Sequence, residues 1–446
     1  MKNILLFGLI LTIKVTHAQL CFNSAVNYTT GTNPQSIISV DVNNDGKLDL
    51  ITPNYPTNYV SVLLGNGFGS FSAPNNYTVI GGNPQYVAAK DFNGDGNLDL
   101  AVSNTASTNI SVLIGNGTGS FGPAASYFGG SFPQMVISSD FNNDAKMDLA
   151  LAHGLSNGAV AILLGNGLGG FGPPTDFTVG AFPIGLVSSD FNNDGKPDIA
   201  VGNLSSNNTS VLLGNGLGSF STATNFPVGT QPYSITSGDF NNDGKVDLAT
   251  ANRGSNDVSV LIGNGSGSFS SSVNFSVGSM PQVIVSSDLN LDGNIDIVTD
   301  ANSNNISVLL GNGLAGFSSA FTFITGSGPA GVIFGDFDGN SKPDLAVNNY
   351  FDSNISVLLN CIILDLSDIS VKNEVRTFPN PFSRKLNIVS QDQIQEIKII
   401  NAFGSLVYSS ESSNSKKSVE IDLLDQPDGI YFLIIGSEIK KVVKME

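Results

Sequence analysis

The sequence predicts an all-β protein, a seven-bladed β-propeller followed by a small C-terminal β-sandwich. Three observations predict this fold. A motif of the form Asp-Phe-Asn-Asn-Asp-Gly-Lys-x-Asp recurs seven times, at a period of about 49 residues. Each repeat holds four short β-rich runs between clusters of Gly, Asn and Pro. No stretch has the hydrophobic periodicity of a helix.

The two ends of the repeat region complement each other. The seventh copy stops after residues 355–359 and lacks the Gly-Asn-Gly turn and fourth strand of the other copies. The segment 22–28 parallels the fourth-strand segment 71–77. We therefore expect the N-terminal strand to complete the seventh blade, which closes the ring and removes two exposed sheet edges.

The two cysteines lie at this predicted seam. In the repeat register, Cys21 aligns with Ser70 and Cys361 with Asn66, the positions that flank a tight hairpin in the other repeats. Because exported proteins retain disulfides, the register predicts a Cys21–Cys361 bond that closes a loop of about 340 residues. The alternative is a pair of separate buried thiols.

The N-terminus predicts export. Residues 1–18 contain Lys2, an apolar run over residues 4–13, and Ala18 after a short polar stretch. This pattern is typical of a signal peptide cleaved after Ala18. The apolar run is too short to span a bilayer, which takes about 20 residues, so we expect no transmembrane segment. Lipidation of Cys21 is the disfavoured alternative, because a small residue usually stands where Leu20 does.

The charge of the chain is concentrated in one kind of loop. The 446 residues have a formal net charge of −18, although only 13% of them are charged. This excludes a basic nucleic-acid binder, which needs clustered Lys and Arg. Residues 19–361 contain no Glu, and 21 of their 25 Asp residues belong to the seven repeated loops. The acidity is therefore a property of the loops.

The loop Asp190–Asp198 has the donor pattern of a calcium site. Oxygen-bearing side chains stand at its first, third, fifth and ninth positions, Gly stands at the sixth, and the seventh would contribute a backbone carbonyl. Three carboxylates crowded into nine residues favour a hard cation, and the absence of nearby His or Cys argues against zinc. Position twelve is never the Glu that an EF-hand requires. The remaining alternative is a set of Asx turns without metal.

The sequence thus predicts up to seven Ca²⁺ sites. The predicted ligand positions, the seventh through its carbonyl, are Asp41, Asn43, Asp45, Lys47, Asp49; Asp91, Asn93, Asp95, Asn97, Asp99; Asp140, Asn142, Asp144, Lys146, Asp148; Asp190, Asn192, Asp194, Lys196, Asp198; Asp239, Asn241, Asp243, Lys245, Asp247; Asp288, Asn290, Asp292, Asn294, Asp296; and Asp336, Asp338, Asn340, Lys342, Asp344. Ala145 and Ser341 replace the turn Gly in loops three and seven, so we expect lower affinity there.

These loops, with the Phe-Gly and Gly-Ala/Ser features between them, resemble FG-GAP/VCBS repeats. The resemblance covers about residues 19–361. Such repeats form the seven-bladed propeller of integrin α-subunit heads and of many bacterial surface proteins. The resemblance implies that the loops join the first and second strands of each blade and bind Ca²⁺ at the positions given above. It does not transfer a binding partner.

The composition changes after Cys361. Residues 362–376 are predicted to be a linker and residues 377–446 a separate domain, and together they hold ten of the nineteen Lys and Arg residues. Its opening Pro379, Asn380, Pro381 and Phe382, its Asp-Gly-Ile-Tyr-Phe strand and its basic end resemble the C-terminal sorting domain of the type IX secretion system. The resemblance implies a β-sandwich that directs export through that machinery in a Bacteroidetes-type bacterium, to the medium or the outer surface.

No constellation for catalysis is evident. The predicted mature chain has one histidine, His153, which we expect in a surface loop without an accompanying nucleophile motif. We therefore predict a binding or adhesion module for an extracellular protein or glycan and no enzyme. The alternative is a lectin-like accessory protein, although the chain has no Trp for stacking on sugars. The expected contact residues, on the face opposite the metal loops, are Tyr55, Tyr59, Phe128, Phe132, His153, Phe182, Arg253, Tyr350 and Phe351.

Overall fold

The computed structural model describes residues 20–301, 304–361, 376–402, 405–435 and 438–445. These residues form strands and turns and no helix, so the all-β prediction is confirmed. The predicted signal peptide, 1–18, and all but the last residue of the predicted linker, 362–376, lie outside the described residues. Contacts divide the chain into two units, 1–364 and 365–446, and each is described by itself.

The first unit consists of short strands. In chain order they are β1 Val26–Thr29, β2 Ile38–Val40, β3 Asp49–Asn54, β4 Tyr59–Leu63, β5 Asn75–Thr78, β6 Pro84–Lys90, β7 Asp99–Asn104, β8 Asn109–Leu113, β9 Ala125–Phe128, β10 Pro133–Ser139, β11 Asp148–His153, β12 Ala159–Leu163, β13 Thr175–Thr178, β14 Pro183–Ser189, β15 Asp198–Asn203, β16 Asn208–Leu212, β17 Thr224–Pro227, β18 Pro232–Gly238, β19 Asp247–Asn252, β20 Asp257–Leu261, β21 Val273–Ser276, β22 Ile284–Ser287, β23 Asp296–Ala301, β24 Asn305–Leu309, β25 Phe321–Ile324, β26 Pro329–Gly335, β27 Asp344–Asn349 and β28 Asn354–Leu358.

These strands form repeated four-stranded antiparallel sheets, seven of them within the described residues. Six sheets use four consecutive strands, from β2–β5 to β22–β25, and the seventh is ordered β26-β27-β28-β1. The N-terminal strand therefore completes the last sheet, with Val26 opposite Val357, as predicted. The first strands of successive sheets lie side by side, and β26 also contacts β2. The sheets thus follow one another around a closed β-propeller.

The burial pattern explains why the strands differ in composition. The second strand of every sheet is buried along its whole length, as β15 shows, because sheets pack on both of its faces. The fourth strand, as in β17, exposes three of its four residues to solvent. Continuous apolar runs therefore lie inside the propeller, and the largely polar fourth strands form its rim.

Aromatic side chains pack between each sheet and the next. Phe171, in a hairpin of the third sheet, packs edge-to-face on Phe92 at 5.3 Å and on Tyr127 at 5.8 Å, both from the second sheet. The same arrangement spans the closure of the ring, where Phe71 packs on Phe337 at 5.5 Å and on Tyr28 at 5.4 Å. The last and first sheets are therefore joined like any other neighbours.

The predicted disulfide is confirmed. Cys21 and Cys361 are bonded, with a sulfur–sulfur distance of 2.04 Å, and the Cys361 N–H donates to the Cys21 carbonyl at 2.9 Å. Between other sheets a hairpin residue donates to the preceding loop, as the Gly169 N–H does to the Phe92 carbonyl at 2.9 Å. In the open hairpin of the seventh sheet, Asn360 Nδ2 instead donates to the Leu289 carbonyl at 2.9 Å.

The second unit is one hydrogen-bonded sheet of five strands. They are β29 Arg376–Phe378, β30 Lys385–Asn401, β31 Leu406–Asp422, β32 Gly429–Ile435 and β33 Glu438–Lys444. The order is β29-β30-β32-β33, and β31 also pairs with β30. The sequence suggests separate strands near residues 386–389 and 394–401, but a register shift between Val389 and Ile394 joins them into β30. Residues of β30 to β33 together form an apolar core, which includes Tyr431, Val442 and, before β30, Phe382.

Candidate metal loops and the opposite face

Side-chain oxygens order the loop between the first and second strands of each sheet. In the fourth loop, Asp190 Oδ2 accepts from the Gly195 N–H at 2.7 Å, and Asp190 Oδ1 accepts from the Asp194 N–H at 3.1 Å. The Asn192 side-chain carbonyl accepts from the same Asp194 N–H at 3.0 Å. The first and third positions therefore hold the turn around a common centre by Asx-type hydrogen bonds.

The tight turn requires left-handed backbone at two loop positions. At the sixth position Gly195 has φ of 80°, whereas Ala145 and Ser341 hold the same conformation at 65° and 63°. At the fourth position Leu291 has φ of 59°, where other loops have Asn or Gly. A residue with a Cβ costs about 1–2 kcal/mol in this region. Ala145 and Ser341 therefore carry backbone strain at the positions where the sequence analysis expected weaker loops. Leu291 carries the same strain in a loop for which no departure was predicted.

The ninth-position aspartate has a structural role besides the predicted one. Asp198 is fully buried, its Oδ2 accepts from the Phe191 N–H at 2.9 Å, and its Oδ1 accepts from the Gly214 N–H at 2.7 Å. One carboxylate thus ties the loop to the Gly-Asn-Gly hairpin of the same sheet. Burial raises the pKa of Asp198 to about 6, against the lowering effect of those two hydrogen bonds. Burial likewise raises the pKa of Asp296 to about 7.

The donor set fits a hard divalent cation. In the seventh loop, carboxylate oxygens of Asp336, Asp338 and Asp344 lie within 4.8 Å of one another, the one such acidic group found in the described part of the chain. The first, third and ninth positions therefore converge, and in the other six loops the third is Asn. Carboxylate and amide oxygens are the ligands that Ca²⁺ prefers, and the ion would supply the charge that offsets their repulsion.

In four loops, the carboxylate at the fifth position forms an ion pair with the lysine at the seventh position. Lys196 Nζ lies 3.1 Å from Asp194 Oδ2, and Lys47, Lys146 and Lys245 make the same pairing at 3.5, 3.2 and 3.1 Å. These pairs lie at the solvent-exposed edge of the loops. The lysine therefore offsets part of the charge on this carboxylate, while its backbone carbonyl is the predicted metal ligand.

His153 is not a surface-loop residue, so that prediction is wrong. It ends β11 and its side chain is only 4% exposed. In the fourth sheet the equivalent Asn203 donates to Ser210 at 2.8 Å. In the third sheet Ala161 replaces this serine, and His153 Nε2 lies 2.8 Å from the Gly129 carbonyl. The longer His153 side chain thus takes the place of the buried Asn–Ser hydrogen bond of the fourth sheet. This replacement becomes evident when the sheets are aligned.

Exposed aromatic residues mark the face opposite the metal loops. Phe128, Phe132, Phe182 and Phe351 are between 39% and 69% exposed. Tyr55, Tyr59, Arg253 and Tyr350 are partly exposed on the same face. Phe132 and Phe182 have φ of 51° and 53°, at a position where the first two sheets have Asn33 and Asn83. Left-handed backbone is an outlier for a bulky residue.

A cavity of about 590 Å³ opens on this face, and we call it the axial pocket. Its lining comes from six of the sheets and includes four of the predicted contact residues, Tyr55, Arg253, Tyr350 and Phe351. The pocket therefore lies where the sheets converge on the propeller axis. Four glutamines of the lining were not predicted from the sequence, although each directly follows a proline: Gln35, Gln85, Gln134 and Gln282.

The repeated loops match a known family. The model of the FG-GAP-like repeat matches residues 41–102, 140–201, 190–250, 239–299 and 288–347, which together are more than half of the chain. The chain belongs to the FG-GAP-like repeat family. No curated protein matches the sequence of this FG-GAP-like repeat protein.

Solved structures similar to the FG-GAP-like repeat protein are propeller-like. BBS1N, solved in complex with ARL6DN, aligns with a TM-score of 0.55 at 11% identity, over 77% of this chain and 98% of that one. The periplasmic gluconolactonase PpgL of Pseudomonas aeruginosa aligns with a TM-score of 0.52 at 15% identity, over 66% and 86%. At these identities the likeness shows the fold alone.

The second unit of the FG-GAP-like repeat protein is a secretion signal. The model of the secretion system C-terminal sorting domain matches residues 376–445. Its opening motif is held on the last strand, since Asn380 Oδ1 accepts from the Val443 N–H at 2.9 Å and the buried Phe382 donates its N–H to the Val443 carbonyl at 2.9 Å. The protein is therefore a type IX substrate of a Bacteroidetes-type bacterium, extracellular or on the cell surface.

Among the described residues, no helix of the FG-GAP-like repeat protein has the length and apolar character needed to cross a membrane.

Proposed function

We propose that the mature protein is a calcium-stabilised binding and adhesion module, whose aromatic face contacts an extracellular protein or glycan. The observation that carries this proposal is the pair Phe132 and Phe182. Both are exposed, and both hold left-handed backbone at a position where the first two sheets have Asn. Exposed aromatic residues are typical anchors of binding surfaces.

The energetics support a role for these two side chains. Asn or Gly would relieve about 1–2 kcal/mol of backbone strain at each position. Strain of this kind persists where the side chain serves a purpose other than stability. Phe128, 59% exposed at the end of the outer strand of the second sheet, extends the aromatic surface.

Binding without catalysis is part of the proposal. His153 contacts a backbone carbonyl through Nε2, and its Nδ1 lies 3.7 Å from Asp176 Oδ1, so both ring nitrogens already have protein neighbours. Most aspartates of the propeller belong to the repeated loops on the other face. Residues 19–361 contain no Glu, so an acid–base pair of the glycosidase kind would have to come from the four aspartates outside the loops.

The test uses a double variant, Phe132→Asn with Phe182→Asn, which inserts the residue that the first two sheets use. We expect binding to immobilised extracellular proteins and glycans, and to cell surfaces, to weaken by about tenfold or more, since two anchors are lost. The melting temperature should not fall, because Asn tolerates left-handed backbone.

The matched control is Leu217→Asn, which removes a 77% exposed apolar side chain from a hairpin on the metal-loop face. Binding by this control should equal that of the unmodified protein. Unchanged binding by the double variant would contradict the proposed surface. Turnover of a polysaccharide by the purified protein would contradict the non-catalytic role.

A lectin-like accessory role is the second candidate. The axial pocket favours it, because primary amides stand beside Tyr and Phe side chains there. Amides and aromatic rings together suit a ligand with both hydroxyl groups and C–H faces.

A further inference from the structure

At the axial pocket, equivalent positions of the repeats carry unlike residues. The residue after the proline at the start of the first strand is Gln35, Gln85, Gln134 and Gln282 in four repeats. In the other three it is Ile184, Tyr233 and Ala330. The metal loops, by contrast, keep an acidic first and ninth position in all seven copies. Equivalent positions with unlike residues indicate an asymmetric site at the axis of a nearly symmetric fold.

The lining combines amides, aromatic rings and a single cationic side chain. A glutamine side chain both donates and accepts hydrogen bonds, as a sugar hydroxyl does. Tyr350 and Phe351 pack edge-to-face at 5.1 Å, and Phe351 is 69% exposed at the rim. Arg253 lies over the ring of Tyr233, with 5.8 Å between its guanidinium carbon and the ring centroid. The volume is that of small-molecule sites, roughly 300–1,000 Å³.

Two buried polar atoms at the pocket have no partner among the described residues. One is Arg253 Nε, which belongs to a lining residue. The other is Oδ2 of Asp300, whose side chain is only 1% exposed. Asp300 Oδ1 accepts from the backbone N–H groups of Gln282 at 2.6 Å and Val283 at 2.8 Å, so this carboxyl lies directly behind the lining. Buried polar groups are normally satisfied, and a ligand bound in the pocket would satisfy the Arg253 atom, whereas Asp300 behind the lining is accessible only to ordered water.

The charges select a class of ligand. Arg253 disfavours a cationic ligand, whereas the Asp300 carboxyl behind the lining disfavours an anionic one. A neutral polyhydroxylated ligand can donate to the amide oxygens, accept from the arginine and the amide N–H groups, and lay its C–H faces on the aromatic rings.

We propose that the axial pocket binds a neutral sugar unit of an extracellular glycan, held by the four glutamines and Arg253 against Tyr350 and Phe351. This inference rests on the proposed function, because it assigns a ligand class to part of the same face. The pocket is then the site that selects the sugar, and Phe132 and Phe182 provide additional contact surface beside it.

The experiment measures binding of methyl glycosides of glucose, galactose, mannose and N-acetylglucosamine to the mature full-length protein in calcium, by saturation-transfer NMR and calorimetry. We expect at least one neutral glycoside to bind. We expect the double variant Gln85→Ala with Gln134→Ala, and separately Arg253→Met, to weaken that binding by about tenfold or more, since each loses hydrogen bonds to the ligand.

The matched control is Leu168→Ala, which truncates an 81% exposed side chain on the opposite face and should leave glycoside binding unchanged. Melting temperatures of all variants establish that they fold. A glucuronide and an amino sugar serve as charged probes, and preferential binding of either would overturn the assignment to a neutral sugar.

The outcomes separate this proposal from the broader one. If no neutral glycoside binds, while the protein still adheres to surfaces through Phe132 and Phe182, the sugar pocket is refuted and the adhesion module stands. If glycosides bind and the pocket variants lose them, both proposals are supported. If neither surfaces nor glycosides bind, both are refuted.

Discussion

Backbone conformation at single positions explains why the repeat uses Gly and Asn where it does. The sixth loop position has φ near 80° in most copies, and a Cβ on Gly195 would meet no atom within 4 Å. The preference for Gly there is therefore a matter of the backbone and not of space. Ala145, Leu291, Phe132 and Phe182 hold left-handed backbone with larger side chains. The first two lie in metal loops, where relief of strain should be measurable.

Ala145→Gly should stabilise the propeller. We expect the free energy of unfolding to rise by about 1 kcal/mol, because Gly adopts left-handed backbone without a Cβ penalty. The mirror variant Gly195→Ala should lower it by a similar amount. Thermal or urea unfolding measures both, and a decrease for Ala145→Gly would contradict the assigned strain.

Asp300 gives a second residue-scale prediction, on pH. Burial raises the pKa of this carboxyl from 3.8 to about 7. The folded state then binds a proton more tightly than the unfolded state, so the stability from this group falls as pH rises from about 4 to about 7. Asp300→Asn keeps the acceptor for the Gln282 and Val283 N–H groups and removes the titration. Its stability relative to the unmodified protein should therefore increase with pH, and a difference independent of pH would contradict this cause.

At the scale of elements, the unit that repeats is a loop joined to a hairpin. The ninth-position carboxylate makes this joint, since each of its oxygens accepts one backbone N–H, as Asp198 does from Phe191 and Gly214. Gly214 is required in turn, because a Cβ there would lie 2.2 Å from the Pro197 carbonyl oxygen. The fifth-position Asp194 is instead near the loop surface. The two carboxylates of one loop thus have different structural roles.

Asp198→Asn should destabilise the protein even without calcium. An amide accepts at one atom only, so its NH₂ group would face a backbone N–H, at a cost of about 1–3 kcal/mol. The control Asp194→Asn should cost little in EDTA and should reduce only the stabilisation that calcium adds. Chemical unfolding of both variants with and without calcium measures this. Equal losses in EDTA would contradict the division of roles.

At the scale of the whole molecule, two features bear on stability: the net charge of the chain and the closure of the ring of sheets. Seven calcium ions would add +14 to a chain of −18 and leave about −4. The ring is closed by β1 in the seventh sheet, by aromatic packing of Phe71 on Phe337, and by the Cys21–Cys361 bond. When no cation is bound, the repulsion between the carboxylates of a loop is offset only in part, by the lysine pairs of four loops.

Chelation should lower the melting temperature sharply, because the carboxylates of each loop then repel one another without a counter-ion. Scanning calorimetry in calcium and in EDTA measures the change, and calcium added back in excess should restore the original value. Magnesium at equal concentration is the control and should restore less, since it demands a stricter geometry. An unchanged melting temperature in EDTA would contradict structural calcium sites.

Local sequence patterns were sufficient to predict much of the fold. The spacing of the motifs predicted four strands per repeat, the completion of the last sheet by residues 22–28, and the disulfide. Those inferences succeeded because each depends on a local pattern counted along the chain. Leu291 shows the limit, since its left-handed backbone could have been inferred from alignment with Asn193 but had no signal of its own.

The remaining features become evident only when the sheets are assembled. The burial of His153, the double role of Asp198 and the axial pocket depend on which residues of different sheets meet when the ring closes. Residues as distant as Gln35 and Tyr350 line one cavity because the sheets converge on the axis. The repeat thus determined each blade, and closure of the ring decided what lies between the blades and at their centre.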